Sequence, residues 1–186
     1  MNKKVIKKIL YGPLEPIASI AFKIISNVEY GYFNHKWKKQ GWKKPDKSEI
    51  DFVCENVTII FKSFERQKMA KRLYRNIQSY YPGINVIIAD DSSKPLDLHG
   101  ASLQVIQLPF NSGLSYGLNR ALEKVKTPYV MRMDDDELFM VKTSLGAQVK
   151  FLEKHQEVDL VSFCALRAIW CVDPDKAVSE YVHGKP

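Results

Sequence analysis

Apolar positions change their rhythm twice along the chain. From Ile6 to Val28 they recur every three or four residues, through Ile9, Leu10, Leu14, Ile17, Ile20 and Ile24. That is the stripe of a helix. Pro13 and Pro16 interrupt it, which predicts two helical pieces. Residues 34–48, rich in lysine and carrying Trp37 and Trp42, read as a basic linker. Beyond it, short unbroken apolar runs alternate with amphipathic stretches. Val57–Phe61, Val86–Ala89, Leu103–Leu108, Tyr129–Met133 and Leu160–Ala165 read as buried strands. Gln67–Tyr80, with Met69, Leu73, Ile77 and Tyr80 on one side, reads as a helix, as do Leu114–Val125 and Thr143–Lys154. Tyr81-Pro82-Gly83 marks a turn. Continuous apolar strands alternating with helices predict an α/β fold, a mostly parallel sheet with helices on both faces. A basic helical arm precedes it. The expected division is residues 1–48 as arm and linker and residues 49–186 as the sheet domain.

Charge separates the same two parts. Residues 1–48 hold eleven lysines, no arginine and three acids, Glu15, Glu29 and Asp46, for a net +8. The whole chain is +7, so the remainder is almost neutral. The basic character belongs to the arm, which suits an anionic membrane surface. Tryptophans among lysines also fit headgroup anchoring. No nucleic-acid motif is present, so nucleic acid is not an expected partner. The run Ile17–Phe22 is far short of the roughly 20 apolar residues that cross a bilayer. There is no signal-peptide pattern. Cys54, Cys164 and Cys171 have no metal-ligand spacing and read as reduced thiols. The expected location is the cytoplasm, peripheral to the inner face of the membrane.

The chemistry should lie where strands end, because open parallel sheets bind ligands at the carboxyl ends of their strands. Asp90-Asp91 follows the second strand and Asp134-Asp135-Asp136 the fourth. Five carboxylates so placed repel one another unless a cation or hydrogen-bond donors offset them. Their hard oxygens select Mg²⁺ or Mn²⁺, in a coordination sphere open enough to admit substrate phosphates. Gly113 and Gly117 open a helix whose N-terminus favours an anion. No phosphate-cradling glycine motif of the familiar kinds occurs. The four histidines, at 35, 99, 155 and 183, read as surface residues. A phosphoacceptor receiver domain would need its acid pair after the first strand, where Lys62-Ser63 stands instead.

Four segments then occur in a familiar order: Thr58–Arg66, Val86–Ser92, Pro109–Asn119 and Thr127–Asp136. Together they resemble the family 2 glycosyltransferases with the GT-A (Rossmann-like) fold, nearest the β-1,4-N-acetylgalactosaminyltransferase, GM2-synthase-like branch. The resemblance covers about residues 56–168. It implies a metal-dependent, inverting transfer from a UDP-sugar to a glycan or glycolipid. It also implies roles. Lys62, Ser63, Phe64, Glu65 and Arg66 lie beside the nucleotide base. Asp90 and Asp91 hold uracil and ribose. Gly113 and Asn119 belong to the donor site. Asp134 and Asp135 lie at the nucleotide sugar. Asp136, with Asp134, ligates the bridging Mn²⁺ or Mg²⁺. The family usually carries Arg at the position of Leu118, and here Arg120 is displaced by two places. The chain ends about 50 residues after the acid triple, where such enzymes continue into acceptor-binding strands and a catalytic base. Asp173 and Asp175 are the late acids to consider for that base. A donor-binding form that transfers poorly is the alternative expectation.

Overall fold

A computed structural model describes residues 15–162 of the chain. It falls into two compact units, Lys43–Val161 and a second that contains the first helix, α1 (Glu15–Lys39). α1 is an unbroken helix of 25 residues, and the piece expected ahead of Pro13 lies outside the described residues. Pro16 stands in its first turn, where a missing N–H removes no hydrogen bond. Pro13 lies outside the described residues.

The basic linker is also shorter than expected, since α1 takes residues up to Lys39 and α2 (Lys47–Asn56) follows closely. Asp46 caps α2, accepting from the Glu49 N–H at 2.9 Å. The spacing Asp46-x-x-Glu49 is a capping-box signal. The Glu49 carboxylate, however, is used elsewhere. Its Oε1 accepts from the Tyr81 hydroxyl at 2.9 Å, Ser144 Oγ at 2.8 Å and the Gly146 N–H at 3.3 Å. It thereby ties α2 to the start of α5 (Leu145–Lys154). Lys44 donates to the Ser79 carbonyl at 2.7 Å and sits over the Tyr80 ring. Those contacts tie Lys44 to Ser79 and Tyr80, within the compact unit Lys43–Val161.

The sheet has four parallel strands, β1 (Val57–Ser63), β2 (Asn85–Asp90), β3 (Leu103–Gln107) and β4 (Tyr129–Asp134), in the order β3-β2-β1-β4. α3 (Gln67–Tyr80) joins β1 to β2, and α4 (Leu114–Leu122) joins β3 to β4. The expected fifth strand is not seen over residues 160–162, and the rest of it lies outside the described residues.

Register assigns each residue to a face. Ile60, Ile87 and Ala89 share one face, where Leu118 and Ala121 of α4 pack against them. Ile59, Phe61, Val86 and Ile88 point the other way and are fully buried or nearly so. Strand-to-strand crossovers are right-handed. The chain steps from β1 to β2 in one direction and from β3 to β4 in the other. The two crossover helices therefore occupy opposite faces, and α3 buries Ala70, Leu73, Ile77 and Tyr80 on its inner side. This is the expected arrangement with both faces covered. The reversal of direction falls between β1 and β4. That reversal is where open parallel sheets bind ligands, in a crevice at the strands' carboxyl ends.

Candidate functional site

Three segments meet at that crevice: residues 62–66 after β1, residues 90–93 after β2, and residues 134–137 after β4. Each is braced by bonds the sequence alone does not reveal.

Asp90 and Asp91 are both completely buried. Asp90 Oδ1 accepts from Ser92 Oγ at 2.6 Å and the Ser92 N–H at 3.3 Å, and its Oδ2 accepts from the Leu96 N–H at 2.7 Å. It organises its own loop. Ser92 Oγ in turn accepts the Glu65 N–H at 2.8 Å, and Glu65 Oε1 accepts the Ser93 N–H at 2.6 Å. This holds Glu65 at φ 56°, a left-handed conformation for a residue with a Cβ. The Ser93 hydrogen bond also keeps the Glu65 carboxyl below the usual carboxylate range. Asp91 faces the opposite way. Its Oδ1 accepts from Lys62 Nζ at 2.5 Å, and its Oδ2 from the Gly113 N–H at 3.2 Å and Ser112 Oγ at 3.4 Å. The expected anion at the N-terminus of α4 is therefore a residue of the chain itself, Asp91. Gly113, at φ 93°, supplies the backbone turn that aims this N–H. Gly117 lets α4 approach, since a Cβ there would lie 3.0 Å from Lys62 Cδ.

Asp90 and Asp91 are thus already bonded within the chain, and a ligand reaching Asp91 would share it with Lys62. Asn119 stands farther along the helix. It lies six residues along α4 from Gly113, about 9 Å by helical rise, and is exposed. Arg120 sits on the outer side of that helix, paired with Glu123 at 2.5 Å and over the Tyr116 ring.

The acid triple also divides. Asp134 ends β4 in register with Lys62, and its carboxylate is bonded by Arg132. Its backbone N–H donates to Glu137 Oε2 at 2.9 Å. The chain then turns, and Arg66 bridges the next two acids: Nη1 lies 2.8 Å from Asp135 Oδ1 and Nη2 3.1 Å from Asp136 Oδ2. Asp135 and Asp136 are thus held together by Arg66, toward which the turn after Asp134 directs them. Asp135 is only 7% exposed. Burial raises its pKa to about 6, opposed by Arg66 and reinforced by Asp136 and Asp134. The segment after the turn is locked to α3, where the Asn76 side chain accepts the Phe139 N–H at 2.6 Å and donates to its carbonyl at 3.2 Å.

Phe110 adds a ring that sequence reasoning did not single out. It is 63% exposed and packs against Phe64 with ring centroids 5.6 Å apart and planes tilted by 48°, and Lys62 Nζ lies 5.1 Å from the centre of the Phe64 ring. An exposed aromatic inside Pro109-Phe-Asn-Ser-Gly113 was the available signal, since turns of that composition seldom need one. Ser63, fully buried at the end of β1, has a hydroxyl with no hydrogen-bond partner. Asp173 and Asp175 lie outside the described residues.

The residues present fit a divalent cation. Among the described residues no three acid, histidine or cysteine side chains converge as a complete cation site. Mg²⁺ or Mn²⁺ bound through one or two carboxylates needs no such cage, because phosphate oxygens and water fill the other positions. Asp135 and Asp136 offer that donor set, and the cationic guanidinium between them shows that the pair accepts positive charge.

Residues 58–165, more than half of the chain, match the family model described as glycosyl transferase family 2. The chain belongs to that family. Over 105 residues it is 43% identical to beta-1,4 N-acetylgalactosaminyltransferase 2 of Mus musculus and 39% identical to beta-1,4 N-acetylgalactosaminyltransferase 1 of Homo sapiens. Each match takes in 56% of this chain and 20% of the relative, so the chain spans about a fifth of those proteins. Among solved structures it is similar to S. aureus TarS 1–349, with 20% identity and a TM-score of 0.45, over 54% of this chain and 33% of that one. The matched segment in this family 2 chain contains β1 to β4 and every residue of the crevice.

Proposed function

We propose that the crevice between β1 and β4 binds a UDP-sugar together with Mn²⁺ or Mg²⁺, and that the chain is the donor-binding part of an inverting glycosyltransferase acting on a glycan or glycolipid. The names of the relatives point to an N-acetylhexosamine as the sugar. The observation that carries this reading is the meeting of the Arg66 loop with Asp135 and Asp136 at the switch point of a family 2 sheet.

The residues divide the work. Asp135 and Asp136 would hold the cation, which when bound offsets the charge left on the departing diphosphate. Arg66, already between them, supplies a second positive group beside the same phosphates. Phe64 and Phe110 offer aromatic surface to a nucleobase, and Lys62 lies beside the Phe64 ring. Asp90, through Ser92 and Glu65, holds the Arg66 loop in place. Such pre-set geometry lowers the barrier by positioning rather than by covalent chemistry.

Calorimetry tests this. UDP should bind in Mn²⁺ or Mg²⁺ and lose its affinity in EDTA, and Asp136→Ala should abolish the metal-dependent part. Equal UDP affinity with and without EDTA would sink the metal bridge. A radiolabelled transfer assay across candidate glycans then separates the two functional readings. Multiple-turnover transfer by this chain would show a working acceptor site, with Asp173 and Asp175 the first residues to substitute. Donor hydrolysis without transfer would identify it as a donor-binding form.

A further inference from the structure

α1 carries its apolar row on the side that faces solvent. Ile17, Ile20, Ile24, Val28 and Tyr32 are 65%, 61%, 59%, 65% and 61% exposed. At 100° per residue they cluster on one side of the helix and span about 22 Å of its length. The opposite side, through Tyr30, Phe33, Asn34 and Trp37, is buried or half-buried. Helices of globular units normally show the reverse, with polar residues outward. A contiguous outward apolar row marks a contact surface.

We propose that this row is a docking surface for an anionic lipid bilayer, lying flat in the headgroup region. The charge fits that occupant. The arm has a net +8, and exposed Lys38 and Lys39 fall on the row's side of the helix, two turns past Tyr32. Half-exposed Trp42 follows, with exposed Lys43 beside it. Isoleucines at acyl-chain depth with lysines and a tryptophan at headgroup depth are the two halves of an interfacial helix. No described helix is long and apolar enough to cross a membrane, so the row would lie on the bilayer rather than span it. A second copy of the helix fits less well. The spacings of 3, 4, 4 and 4 exceed the 3.5-residue average of a left-handed coiled-coil seam, so the row drifts away from such a partner.

The test uses the full chain with vesicles of phosphatidylcholine alone and of phosphatidylcholine with roughly a quarter phosphatidylglycerol. Flotation should show binding to the anionic vesicles at least about tenfold tighter than to neutral ones, weakening as salt rises. Ile20→Asp/Ile24→Asp/Val28→Asp should lose that binding with an unchanged circular dichroism spectrum, since all three side chains are outward. Lys38→Gln/Lys39→Gln/Lys43→Gln should reduce the preference for the anionic vesicles. UDP affinity should be the same in both variants, which separates failure here from failure of the donor-site reading. Equal flotation of the triple Asp variant would overturn the proposal. So would absent flotation of the unmodified chain, or a concentration-dependent dimer, seen by sedimentation, that the triple Asp variant abolishes.

Discussion

Replacing Lys62 with Met should cost the sheet unit about 3 kcal/mol while leaving its packing intact. Met keeps the apolar stem that lies against Gly117 and removes only the ammonium. Lys62 is 10% exposed and Asp91 not at all, so the pair is out of water. Removing one member of a buried pair typically costs about 3–5 kcal/mol, because the other charge stays buried without compensation. The Asp91 carboxylate would keep two weaker donors, the Gly113 N–H at 3.2 Å and Ser112 Oγ at 3.4 Å. The positive N-terminus of α4 offsets up to about 1 kcal/mol of the loss. The remainder is a large share of the roughly 5–15 kcal/mol that holds a typical domain. In a chain of this size it corresponds to a fall in Tm of about 10 °C. Urea unfolding followed by far-ultraviolet circular dichroism reads this transition. Asp91→Asn should be similarly damaging, and the double variant should recover about 2 kcal/mol of the summed loss. A Lys62→Met protein within about 1 kcal/mol of the parent, or a double variant with strictly additive losses, would show that the ion pair does not close this end of the sheet.

Asp135 gives a pH dependence. Its folded pKa, raised to about 6 by burial, lies above the unfolded value. The stability it contributes is therefore present below about pH 4 and lost as pH rises through about 6. Asp135→Asn should flatten that segment of the urea-midpoint profile, and an unchanged profile would refute the assignment. Arg66→Gln removes the cation already lodged between Asp135 and Asp136. Mn²⁺ without nucleotide should then bind about two- to fivefold tighter by calorimetry, the range of a half-exposed ion pair, and weaker binding would show that Arg66 does not compete for those carboxylates. Glu49→Ala strips the acceptor from Tyr81, Ser144 and the Gly146 N–H. It should cost about 2–3 kcal/mol in urea unfolding, with Glu49→Gln recovering most of it, and a loss below about 0.5 kcal/mol would count against the Glu49 hub.

The sequence by itself determined the elements and the family. β1, β2 and α3 were legible because their apolar residues are buried. β3 and β4, read as buried strands, are the edges of the sheet and are largely half-exposed. The acid runs at the ends of β2 and β4 were legible because strand ends of a parallel sheet are where ligands go. α2 was missed because ten residues carry too little periodicity, though Asp46-x-x-Glu49 was there to be read. The extent of α1 to Lys39 was not legible, because residues 34–39 are too rich in lysine to continue the apolar stripe. Tertiary structure alone decided which carboxylates act together. Asp134, Asp135 and Asp136 are equivalent as letters, but the two-residue alternation of β4 sets Asp134 beside Arg132, and the turn after it sends the other two to Arg66. Asp90 and Asp91 are likewise neighbours at the end of β2, yet one braces a loop while the other takes Lys62. Partner choice of this kind rests on contacts across 27 to 70 residues of chain, and local pattern holds no information about which side chain arrives at the other end.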